Sequence, residues 1–207
     1  MRLQVSYDLK DVDQNSTSPR SLGAIQRRLA DLSPTGEFVH KTMRFGPGSI
    51  DAQFAAEAEM PAGGGSNPWA KTKPFGNRPA PAKTLQRSGR LRGAWLGQAA
   101  GAISESTPNS FYVGVDSALY PPAGVFQSLT PTVVKPKKLA KGGKGSAMRY
   151  FLGLTFGVWI SEARLRAGLV IPPRRVGASP VMQQRVANLL KNWIVGEGIT
   201  RSEANAA

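Results

Sequence analysis

The spacing of apolar positions divides the chain into a largely helical first third, a strand-bearing middle and a helical end. Leu3, Val5, Tyr7 and Leu9 alternate with polar residues, which predicts a half-buried strand. Ser16-Thr17-Ser18-Pro19 supplies cap chemistry. Leu22, Ile25, Leu29 and Leu32 follow at helical spacing, predicting an amphipathic helix over Pro19 to Leu32. Ser33-Pro34 restarts a second helix with Phe38, Thr42 and Phe45 on one side, and Gly46-Pro47-Gly48 breaks it. The alanine- and glutamate-rich stretch from Ala52 to Met60 predicts a short third helix.

Residues 61–83 read as an irregular loop studded with prolines and glycines, lying over the surface and pinned by Trp69 and Phe75. Leu85, Leu91 and Trp95 then share a helical face, with Ser88-Gly89 as a turn before it. Ala102-Ile103-Ser104 and Phe111-Tyr112-Val113-Gly114-Val115 flank Thr107-Pro108-Asn109-Ser110, a pattern that predicts a β-hairpin, and Val125-Phe126-Gln127 is a short strand candidate. Thr130 to Gly145 is a Pro/Lys/Gly tract with almost nothing to bury, which in isolation predicts disorder. Ser146 to Gly168 fits either a buried strand with its turns or an amphipathic helix. Met182, Val186, Leu189 and Trp193 recur at i, i+4, i+7 and i+11, predicting a C-terminal helix that ends near Gly196. The expected class is α+β: one domain over residues 1–207, a small antiparallel sheet packed with N- and C-terminal helices, and long extended loops or arms.

Composition narrows the chemistry. The chain has no cysteine, which excludes disulfides, thiolate metal sites and cysteine nucleophiles, and its one histidine, His40, is expected on the surface. Asp8, Asp11 and Asp13 lack the glycine and distal glutamate of a calcium loop and read as a solvated turn. Gly142-Gly143-Lys144-Gly145-Ser146 lacks the full phosphate-loop pattern. No nucleophile–base pair is legible, so the expectation is a non-enzymatic protein without cofactors or metals. The N-terminus has no apolar core of signal-peptide length, and the most apolar window, Tyr150 to Ile160, is shorter than the ~20 residues a bilayer span needs. A soluble, cytoplasmically made protein with no membrane partner is expected.

The charge is uneven. Residues 1–59 carry 7 Lys/Arg and 8 Asp/Glu, whereas residues 60–207 carry 20 basic and 5 acidic residues. No acid lies between Glu59 and Glu105 or between Asp116 and Glu162, and such asymmetry points to a polyanionic partner, either nucleic acid or an acidic protein surface.

One short stretch stands out, Ile171-Pro172-Pro173-Arg174-Arg175-Val176-Gly177-Ala178-Ser179-Pro180. Two prolines restrict the backbone, Gly177 permits a turn, and Ser179-Pro180 is a cap followed by proline at the first helical position. A pinned corner therefore holds two guanidinium groups ahead of a helix. They either bond nearby carboxylates and carbonyls, as a structural corner, or reach a partner.

This corner resembles the iPaR-x-x-x-G-[IL]-S signature of the phage virion morphogenesis family, the tail-completion and head–tail joining proteins. Other signposts follow the family's order. Asn67-Pro68-Trp69-Ala70 resembles its loop tryptophan with a neighbouring proline. Thr84-Leu85-Gln86-Arg87-Ser88-Gly89-Arg90-Leu91 resembles its tL-x-x-[ST]-G-x-L element, and Phe111 to Val115 its v-x-v-G strand. Tyr120 and Phe126-Gln127 stand where a tyrosine and an h-Q-x-G piece usually follow, but the histidine and glycine are missing. The stretch 130–168 exceeds the family pattern and looks like an insertion or arm within the domain.

The resemblance implies a virion structural protein of the tail or neck, acting as a tail-completion, tail-terminator or head–tail connector subunit. Its partners would be copies of itself in a ring, other neck, connector or tail-tube proteins, and transiently the genomic DNA in the channel. The implied contact residues are Arg174, Arg175, Trp69, Lys135, Lys137, Lys138, Lys141 and Lys144. Replacing Arg174 and Arg175 by Ala is then expected to leave the monomer folded and to block assembly. The alternative is a basic nucleic-acid-binding module, with Trp69, Phe75 and Trp95 stacking bases among phosphate-binding cations.

Overall fold

The structure, a computed structural model, describes residues 12–15, 17–61, 63–74, 77, 79–86, 88–120, 132–134 and 169–199. It is an α+β fold of helices and small antiparallel ladders. The expected strand at residues 3–9, the candidate at 125–127, Phe75 and the apolar stretch 146–168 lie outside the described residues.

Helix α1 spans Leu22–Ala30, shorter than the periodicity predicts, because Ser21 caps it: its Oγ accepts from the Ala24 N–H at 3.3 Å. The buried face is also rotated from the expected one. Ala24 and Ile25 are buried, whereas Leu22 and Leu29 are 55% and 43% exposed. The reason is the partner helix. Arg28, on the packed side, donates to the Pro19 and Ile194 carbonyls and lies 5.9 Å above the Trp193 ring, so a cation–π contact occupies a position that leucines would otherwise fill.

A 3-10 turn at Ser33–Thr35 leads into α2, Gly36–Arg44. The break after it is physical. Phe45 is extended, and Gly46 and Gly48 take φ of 87° and 70°, with a Cβ at Gly48 falling 2.5 Å from Ser179 Oγ. Helix α3, Ile50–Ala56, ends on Glu57, a non-glycine residue at φ 51°, and the chain continues into strand β1, Ala58–Glu59. The predicted short helix is thus split into helix and strand. β1 pairs antiparallel with β2, Asn67–Pro68, inside the proline-rich loop.

Helix α4, Arg90–Trp95, follows a left-handed Gly89. Strands β3, Ala102–Thr107, and β4, Ser110–Val115, form the expected hairpin, with Thr107 opposite Ser110 across Pro108-Asn109. Strands β5, Thr132–Val134, and β6, Leu169–Ile171, pair antiparallel. The lysine-rich tract is therefore strand where its start is described. Helix α5, Pro180–Val195, has Ser179 as its cap and Gly196 at φ 79° as its stop, and buries Met182, Val186 and Leu189 as the spacing predicts.

Among the described residues two buried clusters stand out. Ile50, Phe54, Trp69, Leu96, Val113 and Val176 form one, beneath the hairpin and α4. Val39, Val186, Leu189 and Leu190 form the other, where α2 lies on α5, and Phe111 of β4 packs against it. Met43 touches both. Among the described residues no helix is long and apolar enough to cross a membrane.

Candidate functional site

The proline–arginine corner begins where β6 ends. Ile171 is buried, and the two prolines carry the chain inward, so that Arg174 is only 2% exposed. Its Nε donates to the Ala70 carbonyl at 2.7 Å, and burial pushes the guanidinium pKa down to about 10. Arg175 turns the other way. Its Nη2 meets the Glu59 carboxylate on β1 at 2.6 Å, while its carbonyl accepts from the Trp69 indole N–H at 3.2 Å. Trp69, 3% exposed, stands edge-on to Phe54 with ring centroids 5.5 Å apart.

The rest of the corner is held by side chains that replace backbone partners. The Gly177 N–H donates to Gln53 Oε1 at 3.0 Å, and Gln53 Nε2 donates back to the Gly177 carbonyl, so a fully buried amide on α3 imitates one rung of a sheet. Ser179 Oγ accepts from the Met182 N–H at 3.1 Å and donates to the Gly48 carbonyl. Arg185 on α5 donates to the Phe45 carbonyl at 2.7 Å. One side of the corner therefore grips the loop after β2, and the other grips the turn between α2 and α3.

Glu57 is the neighbouring node. Its carbonyl accepts from the Trp69 N–H at 2.8 Å, and its carboxylate takes the Thr84 N–H at 2.6 Å and the Lys71 ammonium at 3.0 Å. Hydrogen bonding from Thr84, helped by Lys71 and opposed by burial, holds its pKa down to about 2.

These positions correct part of the sequence reading. Arg174 and Trp69 are engaged inside the chain, and Arg175 is paired within it, so the arginines bond a carbonyl and a carboxylate of their own subunit. Removing a side chain as buried as Arg174 is expected to disturb the monomer itself, whereas the sequence reading has the monomer staying folded. Lys135, Lys137, Lys138, Lys141 and Lys144 lie outside the described residues. His40, expected on the surface, is buried edge-on to Phe111, at 6.2 Å between centroids, because the hairpin folds over α2. Gln53, Glu57 and Glu59 carry no motif. Their alanine-rich setting gives no hint that Gln53 and Glu59 anchor a corner more than a hundred residues away, or that Glu57 gathers Trp69, Lys71 and Thr84.

Among the described residues no group of three His, Asp or Glu side chains could hold a metal ion. No protein-family model, curated protein or solved structure matches the chain.

Proposed function

We propose that this chain is a structural subunit of a tailed-phage virion, acting in tail completion or termination, or in head–tail joining at the neck, as one member of a ring. The observation that carries the reading is convergence. The family-like signposts are separated by long stretches of sequence, yet Trp69 of the loop motif, Leu85 of the tL element, Val113 of the v-x-v-G strand and Val176 of the corner all meet in one core cluster. A shared scaffold requires such residues to touch, and they do, as apolar side chains of one core. On this reading Arg174, Arg175 and Trp69 hold the scaffold rather than contact a partner. The lysines at 135–144 belong to an arm rooted on the β5–β6 ladder and directed at a neighbouring subunit or channel DNA. The basic excess over residues 60–207 supplies complementarity to acidic ring faces or to the genome.

Light scattering on a sizing column, at low and high salt and over a range of protein concentrations, tests it, with the ultraviolet absorbance ratio recorded for each peak. A discrete, salt-resistant multimer free of nucleic acid is expected, because apolar burial persists in salt. A monomer that carries nucleic acid and sheds it in high salt overturns the reading in favour of a dedicated nucleic-acid-binding module. A monomer throughout counts against a self-closing ring.

A further inference from the structure

Helix α1 keeps in water two leucines that its own spacing marks for burial. Among the described residues six large apolar side chains stand exposed, and four of them fall on two elements. Leu22 and Leu29 share one side of α1, two turns apart and so about 10 Å from each other along the axis. Gln26 lies between them on the same ridge, and the small residues Gly23 and Ala30 beside it are exposed, so a partner surface can approach the helix closely. The helix holds two arginines, Arg27 and Arg28, and no acid.

The other two lie at the hairpin. Ser104 and Ser106 point inward to Arg44 and Gly36, and Phe111 and Val113 into the two clusters. Alternation then sends Gly101, Ile103, Glu105, Tyr112 and Gly114 outward. Two glycines flatten this outer face. A Cβ at Gly114 would fall 2.6 Å from Tyr112 Oη, so the tyrosine ring lies along its own strand on that glycine. A Cβ at Gly101, where φ is 84°, would fall 2.9 Å from the Tyr120 ring and 3.2 Å from Leu119 Cδ1, so these side chains lie over the base of the hairpin. Tyr112 is 54% and Leu119 59% exposed. From Gly101 to Glu105 the strip runs roughly 13 Å, close to the separation of the two leucines on α1.

Charge decides the occupant. Glu105 and Asp116 are the only acids between Glu59 and Glu162, and both border this strip. Glu105 stands directly opposite Tyr112, and the Asp116 N–H donates to the Gly101 carbonyl at 2.8 Å. An acid-rimmed apolar strip on a chain of net charge +14 repels nucleic acid and suits a basic apolar surface. The Leu22–Leu29 side of α1 is such a surface. Within one subunit the two do not meet: their side chains stay exposed, while Arg28 fastens α1 to the Ile194 carbonyl of α5. We infer that the outer face of the β3–β4 hairpin of one copy receives the Leu22–Leu29 ridge of α1 from the next, head to tail. Because the two surfaces differ, every copy offers one of each, and the contact repeats into a ring or an open chain. The interface deepens the ring reading above and rests on it only for closure.

Sedimentation velocity of the full-length protein over a range of concentrations tests the contact, with two double variants. Leu22→Gln/Leu29→Gln removes the ridge and Tyr112→Gln/Leu119→Gln removes the strip. All four positions are exposed, so the fold is kept, which a thermal melt verifies. Wild type is expected to associate and each variant alone to be a monomer. Their equimolar mixture should form a one-to-one dimer and nothing larger, since only one intact ridge meets one intact strip. A mixture that stays monomeric overturns the inference. A discrete wild-type multimer that both variants still form also overturns it and leaves the ring reading standing. Open-ended growth of wild type, abolished in either variant, upholds the interface and overturns ring closure. A wild-type monomer at every concentration overturns both. Oligothymidylate binding that Tyr112→Gln/Leu119→Gln removes, with association unchanged, gives the strip to nucleic acid and overturns the inference.

Discussion

The corner and the open groove between α2 and β3 both hold arginine beside an aromatic residue, yet they are built on opposite terms. At the corner, Arg174 is buried against a carbonyl, Arg175 is paired with Glu59, and a buried glutamine answers both backbone groups of Gly177. In the groove between α2 and β3, Arg44 donates to Ser104 and fronts an open space of about 570 Å³, although a buried Nε without a hydrogen-bond partner among the described residues is common to Arg44 and Arg175. A guanidinium whose partners are internal is a fastener, because moving it exposes unsatisfied groups on both sides. Motif recognition finds the fastener. The open groove carries no motif.

The comparison breaks first at Arg174. Its replacement by Ala removes a large buried side chain and the donor to Ala70, and is expected to cost about 3 kcal/mol in denaturant unfolding. Arg174→Met, which keeps the volume, should recover much of that. A loss below about 1 kcal/mol for Arg174→Ala would mean the corner is looser than its burial implies. Gln53→Ala comes next. It strands the N–H and carbonyl of Gly177 and should cost about 2 kcal/mol, while Gln53→Glu, which keeps the acceptor and loses the donor, separates the two bonds. Ser104→Asp, in contrast, should shift the midpoint by less than about 0.5 kcal/mol, as an exposed substitution does.

The finest test is by pH. The Glu57 carboxyl titrates at about 2 in the folded chain against an ordinary 4.5, so the folded state favours its ionised form. Its contribution to stability is therefore complete above about 4.5 and is lost as pH falls toward 2. Glu57→Gln should flatten the acid limb of the stability curve across that window and leave the neutral limb parallel to wild type. Asp13 and Asp31, whose pKa values are lowered by hydrogen bonds within their own turns, remain in the variant and set the residual slope. An unchanged acid limb would remove Glu57 from the node that ties α3 to Trp69 and Thr84.

Local patterning determined the α+β class, the hairpin across Pro108-Asn109, the C-terminal helix from Ser179 to Gly196 and the break at Gly46-Pro47-Gly48. Each of these depends on backbone preferences and on a period that one segment carries within itself. It also marked the corner as pinned, since two prolines restrict φ wherever they stand. The tertiary structure alone decided which side of α1 is buried, because Arg28 over Trp193 outranks two leucines there. It buried His40 beneath the hairpin and turned Ala58-Glu59 from helix into strand. It also set Glu59 on Arg175, Gln53 on Gly177, and Arg44 beside an open groove. These outcomes depend on which distant surface arrives next to a residue, and no period within ten residues encodes that arrival.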